Sequence, residues 1–210
     1  MDIVDPRIEA YMRGRLGRFD ESVLLEMEAD AEARAFPIVG RNVGVTLEVL
    51  ARSLGARRVI ELGSGFGYSG YWFSRAVGRE GELHLTDGDP GNERKAMDNL
   101  GRAGLVGPVR FHVGDAVSSL RSLPGEFDVV YNDIDKEGYP DAWREARERV
   151  RVGGLYICDN VLWYGRVTGE GADDRTPAIL EHNQLIADDD RYVSTIVPTR
   201  DGVMVAVRVL

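Results

Sequence analysis

The sequence predicts an α/β fold: a doubly wound, mostly parallel seven-stranded sheet with helices on both faces and an antiparallel hairpin at one edge. Three observations carry that expectation. Short apolar, β-branched runs alternate with helical stretches from Arg57 to Asp159, and parallel strands need a crossover connection, commonly a helix, between them. A glycine-rich turn, ELGSGFGYSG (Glu61–Gly70), leads from the first of these runs into the next helix. Finally, YVSTIVP and VMVAVRV flank TRDG, a turn signal between two strands.

The first forty residues read as helices. Asp20 is placed to cap a segment in which Val23, Leu24, Met27 and Ala31 share one face, ending before Pro37. A second amphipathic helix carries Val43, Leu47, Leu50 and Leu54, with Gly55 as its stop. Strands follow at Arg57–Leu62, Glu82–Thr86, Val109–Val113, Phe127–Asn132 and Gly154–Asp159. Between them, Asp89 and Pro90 open one helix, and Ala116–Leu123 and Tyr139–Val150 supply two more. No repeat, low-complexity tract or linker interrupts the chain, so residues 1–210 are expected to form one domain, with residues 1–55 contributing to a lid.

Composition narrows the function. The net charge is −9 with 29% charged residues, which disfavours general nucleic-acid binding, because phosphate neutralisation supplies most of that affinity. The arginines of Arg144–Arg151 alternate with acids, as on a solvated helix face. No apolar run approaches the roughly 20 residues of a membrane span, and the acidic start MDIVDPRIEA lacks a signal-peptide pattern. The single cysteine, Cys158, lies in an apolar run and reads as a core residue of a cytoplasmic protein.

Chemistry concentrates at strand ends. The glycines Gly63, Gly65 and Gly67 let backbone N–H groups approach a ligand, although Tyr68 stands where a dinucleotide fingerprint has its third glycine. Asp87, at the end of the next strand, suits either ribose hydroxyls or simple solvation. NDIDKEGYP (Asn132–Pro140) follows the apolar run FDVVY, and CDNVLWYGRV (Cys158–Val167) begins 26 residues further on. Adjacent parallel strands end on one rim, so Asp133 can meet Asp159 and Asn160 there. Two carboxylates and an amide oxygen form a hard donor set for Mg²⁺, Mn²⁺ or Ca²⁺ rather than zinc.

RNVG, ELGSGFGYSG, DGDP, GDA, NDIDKEGY, DNVLWYGRV and the T…N of RTPAILEHNQL together resemble the cation-dependent O-methyltransferases, the group of catechol and caffeoyl-CoA O-methyltransferases. The resemblance runs from about Pro37 onward. It implies a Rossmann-like fold, S-adenosylmethionine (SAM) and a divalent cation as cofactors, a catechol-like aromatic acceptor and a homodimer. It also implies roles: Lys136 as general base; Asp133, Asp159 and Asn160 as metal ligands; Tyr139 and Trp163 flanking the acceptor. Val43, Glu61, Gly63, Gly65, Ser69, Asp87, Asp115, Ala116 and Asp133 would border SAM.

Other readings stay beside these. Asp135 is expected in a turn or helix cap, Lys136 out of context is a surface lysine, and Trp163 and Tyr164 alone suit core edges. His182 reads as structural or solvated, and His84 and His112 as packed within strands. His182 and Asn132 depart from the family pattern, where an aromatic and an apolar residue are usual. Thr168–Pro177 is polar and glycine-rich and reads as a mobile loop beside the site. Methylation of a hydroxylated tRNA base, served by Arg7, Arg13, Arg15 and Arg18, and a non-catalytic cofactor-binding module are the alternative functions.

Overall fold

The computed structural model describes residues 3–19 and 21–210. The proposed cap Asp20 therefore lies outside the described residues, as does the side chain of Arg18. Helix α1 (Pro6–Gly14) starts from Asp5, whose carboxylate accepts the Arg7 amide at 2.8 Å. Helix α2 (Ser22–Arg34) buries the four expected residues Val23, Leu24, Met27 and Ala31. In α3 (Gly40–Ser53), Val43 and Leu47 are fully buried.

The sheet comprises β1 (Arg58–Leu62), β2 (Glu82–Asp87), β3 (Val109–Val113), β4 (Phe127–Asn132), β5 (Val150–Cys158), β6 (Tyr192–Val197) and β7 (Val203–Arg208), in the order β3-β2-β1-β4-β5-β7-β6. The first five are parallel, while β7 runs antiparallel to β5 and β6. Strand order reverses between β1 and β4, which opens a crevice beyond their carboxyl ends. Helices α4 (Tyr68–Val77), α5 (Pro90–Arg102), α6 (Ala116–Ser122), α7 (Tyr139–Ala146) and α8 (Thr176–Ala187) complete the layers. Two apolar clusters form, one holding Val59, Trp72 and Tyr131, the other Ile60, Trp143 and Tyr156. Residues alternate between them along β1 and β4, as the twofold strand period requires. Each fully buried aliphatic side chain contributes about 1.5–3 kcal/mol.

The expected helix Tyr139–Val150 ends early, at Ala146. Val150 has no exposure and pairs with Phe127, so the ladder claims it. Arg149 reaches across to the carbonyls of Leu120 and Gly125, at 2.8 Å each, so the arginine-rich segment is not one solvated helical face. Cys158 is buried and free, as expected. His84 and His112 meet through Nδ1 and Nε2 at 2.9 Å. Among the described residues no helix is long and apolar enough to cross a membrane.

Candidate active site

Register brings the motifs to one level. Leu62 pairs with Thr86 and with Asn132, and Asn132 with Cys158. The next residue of each strand, Gly63, Asp87, Asp133 and Asp159, therefore stands on one rim. Backbone bonds lock that level: the Asp133 amide donates to Leu62 O (2.8 Å) and the Asp159 amide to Asn132 O (3.2 Å). Gly63 has φ +83°, and a Cβ there would lie 2.5 Å from the carbonyl oxygen of Asp133, so only glycine lets β4 end this close.

A cavity of about 770 Å³ opens above the rim. Its wall includes Gly63, Gly65, Ser69, Asp87, Asp115, Ala116, Asp133, Lys136, Asn160 and Trp163, which brings most of the expected residues together. Val43, Glu61, Tyr139 and Asp159 are not on that wall; each is fully buried behind it. Tyr139 thus departs from its expected place beside an acceptor. Its hydroxyl donates to Asp159 O at 2.8 Å, so it braces the rim from below.

At the glycine-loop end, the Gly65 amide donates to Asp87 Oδ2 (2.9 Å), while Asp87 Oδ1 accepts from the Asp89 amide and Asn92 Nδ2. Asp115 caps α6 by accepting the Ser118 amide at 2.7 Å. Glu61 accepts the Ser69 hydroxyl, but its Oε2 is buried without a partner. Burial, with Asp133 and Asp87 adding to it, pushes Glu61 up to about 8 against the opposing Ser69 bond.

At the other end, Lys136 Nζ lies 3.2 Å from Asp133 Oδ1 and 3.3 Å from Ile134 O, over the rings of Tyr139 (4.8 Å) and Trp163 (5.9 Å). Burial raises the Asp133 and Asp159 carboxyls above their ordinary range, and the proximity of Asp133 raises Asp159 further. Asp135 is exposed on the wall and begins the 3₁₀ turn Lys136–Gly138 without a side-chain cap bond. Its carbonyl, accepting the Gly138 amide, makes the turn.

Sequence reasoning missed two residues here. Arg200, read only as part of a hairpin turn, lines the cavity and places Nη1 3.1 Å from Asp159 Oδ2. Asp173 accepts the Trp163 indole N–H at 2.9 and 3.0 Å and also the amide of Thr176, the first residue of α8, at 3.0 Å. The segment expected to be a mobile loop is therefore pinned to the cavity wall. Strain gathers here too: Asn160, Trp163, Tyr164 and Arg200 are four of the five left-handed non-glycine residues among those described. Such strain, of about 1–3 kcal/mol each, persists where the surroundings over-determine it, commonly at functional sites.

Asp133, Asp159 and Asn160 offer oxygen donors of the kind a hard divalent cation takes. Asp159 Oδ1 is buried with no hydrogen-bond partner behind the wall on which Asp133 and Asn160 lie. Among the described residues no three His, Cys, Asp or Glu side chains cluster, so the Asn160 oxygen is needed as a third donor. By donor chemistry alone these oxygens suit such an ion, and Arg200 occupies the second oxygen of Asp159.

The sequence profile of a family described as O-methyltransferase matches residues 21–209. This chain belongs to the O-methyltransferase family. A catechol O-methyltransferase of Niastella koreensis is 33% identical to this O-methyltransferase over 177 residues, covering 82% of this chain and 79% of that protein. The solved O-methyltransferase TomG of Streptomyces achromogenes, involved in tomaymycin synthesis and in complex with SAM, superposes with TM-score 0.84 at 26% identity, covering 91% of each chain. That of Bacillus cereus, in complex with SAH, gives TM-score 0.82 at 28% identity over 90% of this chain and 91% of the other.

Proposed function

We propose that this O-methyltransferase uses SAM and a divalent cation to methylate a hydroxyl of a catechol-like small molecule. The observation that carries the reading is one cavity with two unlike ends. A glycine loop tied to Asp87 stands at one end, and at the other the Asp133 carboxylate lies beside Lys136, with buried Asp159 behind the wall. The SAM and SAH held by the solved relatives support the first half, and the name of the Niastella relative supports the acceptor class. A homodimer is proposed on the family resemblance alone, and a cytoplasmic location on the single cysteine, Cys158.

In this reading Gly63, Gly65, Ser69, Asp87, Asp115, Ala116 and Asp133 border SAM directly, with Glu61 and Val43 behind them. Asp133, Asp159 and Asn160 would hold Mg²⁺ or a similar ion, and Trp163 would wall the acceptor. When bound, SAM offers a sulfonium methyl, and a hard cation favours the phenolate over a phenol of ordinary pKa near 10. Lys136 is the group placed to take the hydroxyl proton at Nζ. It is held on two sides by Asp133 and Ile134 O and is largely shielded from water. The cavity wall contributes orientation of the two reactants.

The test is methyl transfer from SAM to a panel of catechols, caffeoyl thioesters and flavonoids with Mg²⁺, then with EDTA. Transfer to vicinal diols that stops on chelation is expected. In Lys136→Ala, turnover should fall about 10²–10⁴-fold while SAH affinity holds. Transfer that survives EDTA would overturn the cation's role, and equal loss of turnover and SAH affinity would overturn the base.

A further inference from the structure

Two polar residues sit where the surrounding core is apolar. Asn132 ends β4 and His182 lies within α8, and neither has any solvent exposure. Tyr156 of β5, equally buried, lies between them. Asn132 Nδ2 is 3.1 Å from the Tyr156 hydroxyl, which is 2.9 Å from His182 Nε2. His182 Nδ1 is 3.1 Å from Asn183 Oδ1, and Asn183 Nδ2 is 2.9 Å from the carbonyl oxygen of Val161.

The last link fixes all the others. A carbonyl only accepts, so the Asn183 amide nitrogen points at Val161 and its oxygen at the imidazole. Nδ1 must then carry the ring proton, which leaves Nε2 bare. Tyr156 donates to Nε2, and its oxygen is free to accept from Asn132. One direction of donation and one neutral tautomer run through every link, while Asn132 Oδ1 stays buried without a partner.

The two ends of this chain explain its use. Asn132 precedes Asp133, and its carbonyl accepts the Asp159 amide. Val161 follows Asn160. The geometry points to Asn132, Tyr156, His182 and Asn183 acting as one positioning unit that fixes Asp133 relative to Asp159 and Asn160. What those groups then do rests on the function proposed above. The two departures from the family pattern are thus bonded to one partner, each supplying what the other's side of Tyr156 requires. An apolar residue at 182 would leave the Tyr156 hydroxyl and the Asn183 amide oxygen without this partner, and one at 132 would remove the donor to the Tyr156 oxygen.

The experiment compares His182→Phe, His182→Gln, Asn132→Val and the Phe/Val double variant with the parent chain. Amide hydrogen exchange followed by mass spectrometry is combined with SAM–catechol kinetics. Gln presents an acceptor and a donor like the two imidazole nitrogens. In His182→Phe and in Asn132→Val, exchange should quicken in residues 132–136 and 159–163 while β1–β3 stay protected. Turnover should fall about ten- to hundredfold with KM for SAM unchanged. Gln should restore most of both, and the double variant should be no worse than the poorer single one, because either change breaks the same unit. Uniformly faster exchange, unchanged exchange, or losses that simply add would overturn the proposal. If the parent chain methylates no catechol, the assignment of the acceptor fails, and the exchange pattern alone decides the positioning unit.

Discussion

Arg200 has a left-handed backbone, φ +52°, in a turn where glycine would be relaxed, and its guanidinium pairs with a carboxylate that has no exposure. Both facts cost free energy, the first on the order of 1–2 kcal/mol. Asp159 needs a cation, because an unpaired buried carboxylate is far more costly than a paired one. Arg200 is that cation in the protein alone, and it stands between Asp159 and the cavity. A divalent ion that took both oxygens of Asp159 would displace it from Oδ2. Replacing Arg200 with Gly should therefore tighten Mn²⁺ binding, by about tenfold if the lost competition is near 1.4 kcal/mol, as read by electron paramagnetic resonance titration. Equal Mn²⁺ affinity in both proteins would show that the guanidinium does not compete. Nothing in TRDG signalled this, since the turn was legible but its neighbour across 41 residues was not.

At the scale of elements, the rim was legible and the loop above it was not. Parallel register is rigid, so a carboxylate one residue past each of two neighbouring strands must share a level, and Asp133 and Asp159 do so. The segment after Asp159 follows no such period. Its course is set by single tertiary bonds: Val161 and Leu162 amides to the Gly202 and Asp201 carbonyls, Tyr164 N–H to the Asp201 carboxylate, and Trp163 to Asp173. Composition read Thr168–Pro177 as mobile because its glycines and acids suit a free loop, but Asp173 anchors both Trp163 and the start of α8. The indole N–H, with the Thr176 bonds, holds the Asp173 carboxyl down to about 2, so it remains an acceptor throughout the neutral range. Asp173→Ala should release Trp163, raising KM for the acceptor severalfold with little change in KM for SAM. An unchanged acceptor KM would show that the indole is held by packing alone.

Across the whole molecule, buried ionisable groups pull stability in opposite directions with pH. Burial holds His182 down to about 4, against 6.5 when unperturbed. Between those values the unfolded chain takes up a proton that the native state refuses. Stability is lost there as pH falls, by up to on the order of 3 kcal/mol. Glu61, pushed up to about 8, acts in the other sense: the native state keeps a proton that the unfolded chain releases, so stability declines as pH rises from 4.5 toward 8. The histidine's share is separable. The stability of the parent chain relative to His182→Phe, from urea denaturation, should fall between pH 7 and pH 4. A difference that stays flat over that range would show that His182 is protonated in both states alike.

The two ends of the cavity also differ in how much chain each one spans. Gly65 reaches Asp87 across 22 residues, whereas Asp159 meets Arg200 across 41 and Tyr164 meets Asp201 across 37. Bringing distant segments together carries a larger loop-closure cost and delays folding. During folding, the Gly65–Asp87 contact can form once β1, β2 and their helices have met. The Asp159 side must wait for the hairpin that carries Arg200 and Asp201. A nascent chain would accordingly close the glycine-loop contact before the Asp159 side of the cavity is braced.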